Sequence, residues 1–282
     1  MIKRIEISSI YSNAPDLPLS SLFVPNDDPV QIRNVEGLGP VKADISATPF
    51  ATGRGELYQG SSTGKRNIVL TLGLNPNWVN QTMASLRQLL YRYFMVESWA
   101  TLRFFTDDHP VTHITGVVES FEPNIFSQDP EMQISILCPK PDFIDVDTTL
   151  VRGLVDSGTE VSINYDGTSP TGFELRILTT PGVSVVKGDF TVLNVAAGDF
   201  KEFHLISADV TDSMFIELNT VRSTRHVYNV LLPNKEEVNI LAKMGKTGDW
   251  PELLPGGNLF SVGSSVAGLR WILAYFNRYG GL

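Results

Sequence analysis

Along most of this chain apolar and polar residues alternate one for one, and a chain so patterned buries one face of an extended backbone. Lys3-Arg4-Ile5-Glu6-Ile7 sets the rhythm. Asn67-Ile68-Val69-Leu70-Thr71-Leu72-Gly73-Leu74 repeats it with β-branched residues, and Trp99-Ala100-Thr101-Leu102-Arg103-Phe104-Phe105 follows. After the turn Thr106-Asp107-Asp108-His109-Pro110 come two more runs, His113 to Phe121 and Met132 to Leu137. Strand, turn, strand, loop, strand is the signature of an antiparallel meander.

The alternation breaks once. Asn75-Pro76 offers an N-cap followed by proline at the first helical position. Behind it Val79, Met83, Leu86, Leu90 and Tyr93 recur at helical spacing, with Asn77, Asn80, Gln81, Ser85 and Gln88 turned away. The spacing predicts a helix over about 76–94 that packs through that five-residue stripe.

A boundary is expected near residue 140, where Cys138-Pro139-Lys140-Pro141-Asp142-Phe143 places two prolines that cannot donate to a central ladder. Beyond it lie shorter alternating runs. They are the segment 156–167, then Gly172 to Leu178, Phe190 to Leu193, Phe203 to Ile206 and Met214 to Asn219. Such strands separated by turn residues predict a sandwich or jelly roll. The expected architecture is therefore mainly β, with two β-sandwich-type domains, 1–140 and 141–282. The first carries the one long helix and the second is jelly-roll-like. Val238, Leu241 and Ala242 suit a helical turn inside an otherwise β neighbourhood.

Composition removes several function classes. Of 282 residues 42% are hydrophobic and 19% charged, a foldable rather than disordered balance. A formal net charge of −9 argues against general nucleic-acid binding. One cysteine, Cys138, leaves no partner for an intrachain disulfide and no multi-thiolate metal site. No apolar run is long enough to span a bilayer, and the first residues lack the pattern of a signal peptide, so assembly in a cytosol-like compartment is expected.

Chemistry-bearing motifs are sparse. Gly60-Ser61-Ser62-Thr63-Gly64-Lys65-Arg66 mimics a phosphate loop, but Arg66 stands where a magnesium-binding hydroxyl belongs and a strand follows in place of a helix. It reads as a flexible loop. His109 and His113 have a zinc-like spacing, yet Pro110 and the β pattern make the segment a turn. No nucleophile elbow, cofactor motif or metal-ligand set is nominated, so neither catalytic nor cofactor-binding residues are expected. Trp250 and Trp271 are candidate outward contacts for a glycan or a protein partner, since amphipathic aromatics serve at binding faces.

The order of segments along nearly the whole chain resembles the distal tail proteins of long non-contractile-tailed bacteriophages. The resemblance is carried by Val35-Glu36-Gly37-Leu38-Gly39-Pro40, the loop Gly53 to Gly60, the strand Arg66 to Leu72 leading to the helix, and the Gly116-to-Phe121 strand. The Ile136-to-Phe143 exit and Trp250-Pro251-Glu252-Leu253-Leu254-Pro255-Gly256-Gly257-Asn258 complete it. It implies a structural virion protein of the phage tail, assembled in the bacterial cytoplasm, that forms a homo-hexameric ring. Such a ring joins the tail tube protein to the tail-tip hub or baseplate. DNA passes through it without specific binding, and no membrane insertion is involved. The N-terminal half would be a ring-forming sandwich. The Gly53–Lys65 loop, with Arg54, Glu56, Leu57, Tyr58 and Lys65, would be a subunit-contact arm. The C-terminal half would be a galectin-like sandwich that holds receptor-binding or side-fibre proteins. Two other readings remain open on the residues alone: a lectin-like carbohydrate-binding module, and a β-sandwich enzyme that cleaves glycans.

Overall fold

The computed structural model describes residues 1–9, 15–21, 28–124, 130–155, 159–179, 186–196, 198–246, 248–266 and 268–282. Residues 156–158, the start of one predicted strand segment, lie outside them. The chain divides into two units, Met1–Val146 together with Tyr279–Leu282, and Asp147–Arg278.

In the first unit β1 (Ile2–Ser9), β2 (Leu17–Ser21), β3 (Val30–Glu36), β4 (Ala43–Pro49), β5 (Glu56–Thr63) and β6 (Arg66–Leu74) precede helix α1 (Met83–Tyr93). Strands β7 (Trp99–Thr106), β8 (Thr112–Asn124), β9 (Glu131–Cys138) and β10 (Phe143–Asp145) follow. A sandwich is expected here, but the hydrogen bonding closes a ring in the order β8-β7-β1-β2-β3-β6-β9 and back to β8. The long strand β8 makes the closure. Its first half pairs with β7 and its second half with β9, across a register shift between Val118 and Ser120. A bulge of this kind bends a strand and raises its twist, which lets one strand close a sheet on itself. Ile5, Ile7, Ile68, Leu70, Leu72, Leu102, Phe104, Ile134 and Ile136 fill one core. These are the inward members of the period-two runs.

Helix α1 is shorter than its spacing predicts. It starts after Thr82, whose Oγ1 accepts from the Ser85 N–H (3.2 Å), while Ser85 Oγ accepts from the Thr82 N–H (2.9 Å). This capping box satisfies two otherwise orphaned donors and outcompetes the Asn75-Pro76 start. Upstream, Asn77 Oδ1 takes the Val79 N–H (3.2 Å) and fixes a turn in place of the first helical turns. Val79 therefore leaves the expected stripe and stands 86% exposed beside the exposed Trp78. Leu86, Leu90 and Tyr93 are buried and Met83 packs partly against the same core.

The second unit holds β11 (Thr149–Val155), β12 (Val161–Tyr165), β13 (Glu174–Thr179), β14 (Val186–Ala196) and β15 (Asp199–Val210). It continues with β16 (Met214–Asn219), β17 (His226–Leu231), β18 (Glu236–Asn239), a 3-10 turn at Leu241–Lys243, β19 (Gly256–Ser264) and β20 (Leu269–Tyr275). A six-stranded sheet runs β11-β20-β13-β16-β17-β18 and a four-stranded one β12-β19-β14-β15. Both sheets send residues into one core, among them Leu175, Ile177, Ile216, Leu218, Leu273 from the first and Ile163, Val192, Phe203, Phe260 from the second. The chain then returns to the first unit, where β21 (Arg278–Tyr279) adds to β10.

Candidate functional site: an exposed hairpin arm

The predicted contact loop is an antiparallel hairpin. Strands β4 and β5 pair from Ala43↔Thr63 to Pro49↔Glu56 and pair with no other described strand. The turn between them uses Gly53 (φ +130°) and Gly55 (φ +104°), and Phe50 N–H donates to Gly55 O (3.3 Å). The run read as a flexible phosphate-loop mimic is thus the end of β5 and the start of β6.

Both faces of the hairpin are open. Ile45 is 68% exposed and Tyr58 62%, and Phe50 and Leu57 are each at least half exposed. Tyr58 Oη donates to Ser61 Oγ (2.8 Å). Arg54, Glu56 and Lys65 are exposed and make no ion pair among the described residues. A two-stranded ribbon with apolar residues on both faces is marginal in water by itself. It becomes stable when another surface covers it.

The root of the arm is held by Arg66, which in the sequence stands out only as the mismatch in the phosphate-loop mimic and the start of a strand. Its guanidinium is 2% exposed and donates to four backbone carbonyls. They are Pro141 O from Nε (2.6 Å), Gly37 O (2.5 Å) and Gly39 O (2.7 Å) from Nη1, and Gly280 O from Nη2 (2.6 Å). The Phe143 ring lies beneath it at 4.5 Å. Burial pushes the Arg66 pKa below its ordinary value, while Cys138 and Asp142 act the other way. Gly37 is fixed by the same junction: its φ is +84°, and a Cβ there would sit 1.9 Å from Asn67 O. Leu282 N–H donates to Leu38 O (3.0 Å), so the returning segment is tied to the link between β3 and the arm. Three segments that carry the family resemblance, 35–40, 66–72 and 136–143, meet at this one side chain. The available signal was an arginine opening an otherwise apolar-alternating strand.

Other candidates are placed differently. Cys138 is buried, and burial pushes its thiol up to about 11. His113 is partly buried on β8, its imidazole shifted down by burial and then by Arg103; His109 lies in the turn against Tyr279. Trp271 is no outward contact. It is 1% exposed, packs edge-on against Phe260 and donates Nε1–H to Leu154 O (3.1 Å). It lies against Gly153, where a Cβ would come within 2.4 Å of the indole. Trp250 is partly buried against Phe203, with the Arg225 guanidinium 5.5 Å from its ring centre.

Next to Trp250 stands the strongest charge cluster of the second unit. Glu252 is 4% exposed and accepts two hydrogen bonds from Arg222 (2.8 and 2.9 Å) and one from Arg225 (3.1 Å). Desolvation raises its pKa, but hydrogen bonding to Arg222 and the charges of Arg222, Lys201 and Arg225 outweigh it, and the carboxyl lies below its ordinary value.

The fold is similar to that of a solved phage protein. The SPP1 Dit protein (gp 19.1), described as a paradigm of the hub adsorption apparatus in phages infecting Gram-positive bacteria, matches 97% of this chain and 98% of its own. Identity is 11% and the TM-score 0.67. A chain of the phage P2 baseplate in its activated conformation with Ca matches all of both chains at 9% identity, with a TM-score of 0.49. A fructofuranosidase from Schwanniomyces occidentalis matches 83% of this chain and 59% of its own, with a TM-score of 0.24. No protein-family model and no curated protein matches the chain. The chain has the fold of SPP1 Dit over nearly its whole length.

Proposed function

We propose that this chain is a non-enzymatic structural protein of a phage tail that assembles as a hexameric ring, joining the tail tube to the tip or baseplate. The observation that carries the reading is the β4–β5 hairpin, apolar on both faces and paired with no other described strand, on a chain with the Dit fold. In this reading Ile45, Phe50, Leu57 and Tyr58 lie on a neighbouring copy. The first unit builds the ring, and the second is a galectin-like sandwich that faces outward to hold receptor-binding or side-fibre proteins. Assembly takes place in the host cytoplasm and the ring ends in the virion. Of the two tryptophans that a lectin reading would use, Trp271 is core and Trp250 is partly buried against Phe203, which weakens that reading.

Charge fits the role. A conduit for DNA must not hold it, and a net charge of −9 fits a lining that is acidic or neutral. The decisive measurement is particle mass together with electron microscopy of the purified chain, alone and with tail partners. Closed six-membered rings are expected. A chain that stays monomeric under both conditions overturns the reading; rings that close only with partners sustain it.

A further inference from the structure

The two edges of the six-stranded sheet in the second unit differ in a way that invites pairing. At one edge β11 presents Leu150 and Leu154, 55% and 63% exposed, on either side of exposed Arg152. Its register with β20 is regular over all seven pairs, with no bulge, and the strand holds no proline. Neither Arg152 nor Arg270, which lies diagonal to it across the β11–β20 pair, has an acidic partner among the described residues. At the other edge β18 presents Glu236, Glu237, Val238 and Asn239, all exposed. No backbone bond from another described segment reaches the outer side of either strand.

Charged side chains on a sheet edge ordinarily guard against pairing, and a guard works against a second copy when both edges repel. Here one edge is basic and the other acidic. Direction also agrees. All five pairings of the sheet are antiparallel, so β11 and β18, first and sixth, run in opposite senses. A copy added edge to edge therefore continues the antiparallel order without being turned over. Faces agree as well, because directly paired residues share a face of the sheet. The row Arg152↔Ile272↔Arg176↔Glu217↔Tyr228↔Asn239 puts Asn239 on the face of Arg152, and Glu237, two residues away, shares it.

We infer that β11 of one copy pairs with β18 of the next, with Arg152 facing Glu237 and Leu150 and Leu154 partly covered by the added strand. The occupant is a second copy of this chain. The contact is head-to-tail, the kind that closes a ring when its rotation allows. It is a second contact, separate from the hairpin, and does not depend on it. Main-chain bonds supply the attachment, while the opposite charges set partner and register.

The test uses the full chain. Arg152→Cys and Glu237→Cys variants, one with a size tag, are purified apart, mixed in equal amounts and oxidised. Cys138 is buried and its raised thiol pKa keeps it out of the reaction. The mixed disulfide is expected to exceed either self-linked product about tenfold, since the contact joins unlike edges. A mixed product no greater than the self-linked ones overturns the inference. In a second arm the cysteines are placed at Leu150 and Asn239, which lie opposite each other in this register. Arg152→Glu or Glu237→Arg alone should then lower cross-linking about tenfold, and the two together should restore it. Failure of the double reversal to restore it counts against the pairing of these two residues. The cross-link reports on β11 and β18 alone, so its absence leaves the hairpin contact standing, and loss of rings on altering the hairpin leaves this contact standing.

Discussion

Each unit has a buried charge that gathers several partners, Arg66 in the first and Glu252 in the second, and the two are satisfied in opposite ways. In the first unit the cation Arg66 donates only to backbone carbonyls, those of Gly37, Gly39, Pro141 and Gly280. In the second unit the anion Glu252 is held by the side chains Arg222 and Arg225, with Lys201 at 4.0 Å. Carbonyl dipoles do not titrate and salt does not displace them, so the Arg66 junction is a fixed mechanical joint. The Glu252 cluster depends on a group that does titrate, and on Arg222, which is mostly exposed and screened. The joint that must hold the root of the contact arm is built from the partners least sensitive to conditions.

The sharpest way to break this contrast is Arg66→Met. It keeps the length and apolar stem but removes the donor that four carbonyls share, and is expected to cost about 3–5 kcal/mol, read from the urea midpoint of the full chain. Arg66→Lys should recover little, because one ammonium cannot span four acceptors spread around a planar fork. A loss below about 1 kcal/mol for the methionine variant would sink the idea of a joint.

Next in size is Leu86→Ala in the helix, expected to cost about 2–5 kcal/mol, beside Val79→Ala, expected within about 0.5 kcal/mol. Equal losses at the two positions would return Val79 to the packed stripe.

Glu252→Gln comes third, at about 2 kcal/mol near neutral pH after discount for the exposure of Arg222. Here the sign of the pH dependence matters. The folded carboxyl lies below its ordinary value, so its stabilisation is complete above the unfolded pKa, near 4.5. It is lost as the pH falls from there through the folded value. The gap between wild type and Glu252→Gln should therefore close on acidification, measured as the difference in unfolding midpoints from pH 7 to pH 3. A gap constant over that range assigns the loss to packing.

The smallest stability effect is predicted for Leu57→Glu with Tyr58→Glu on the arm. Both residues are exposed, and the double variant should unfold within about 0.5 kcal/mol of wild type while rings are lost on size measurement. Rings that persist with the arm so altered move the contact elsewhere.

Most strands were legible because side-chain alternation is a local property. Ile68, Leu70, Leu72 and Leu74 point inward as their spacing requires. The burial of Trp271 was legible by the same rule, since Leu269, Trp271, Leu273 and Tyr275 form one inward row. Attention to the aromatic alone had placed it outside. The helix start was misplaced because two local hydrogen-bond systems competed, and the turn at Asn77 with the Thr82–Ser85 box won over Asn75-Pro76. Closure of the first sheet was out of reach. It depends on β8 pairing with β9 beyond a bulge, and on a two-residue parallel contact between β2 and β3.

What the sequence determined by itself is the alphabet of the fold: alternating strands, one helix, turns rich in glycine and proline, and a charge balance unsuited to holding DNA. These depend on neighbours within a few residues, where geometry has period 2 or 3.6. What only the tertiary structure decided is which distant segments meet. Arg66 finds its carbonyls 27 to 214 residues away, and the opposite signs of the β11 and β18 edges become complementary once one sheet carries both. Such meetings are set by chain topology and the cost of burying unpaired polar groups, which no local pattern records.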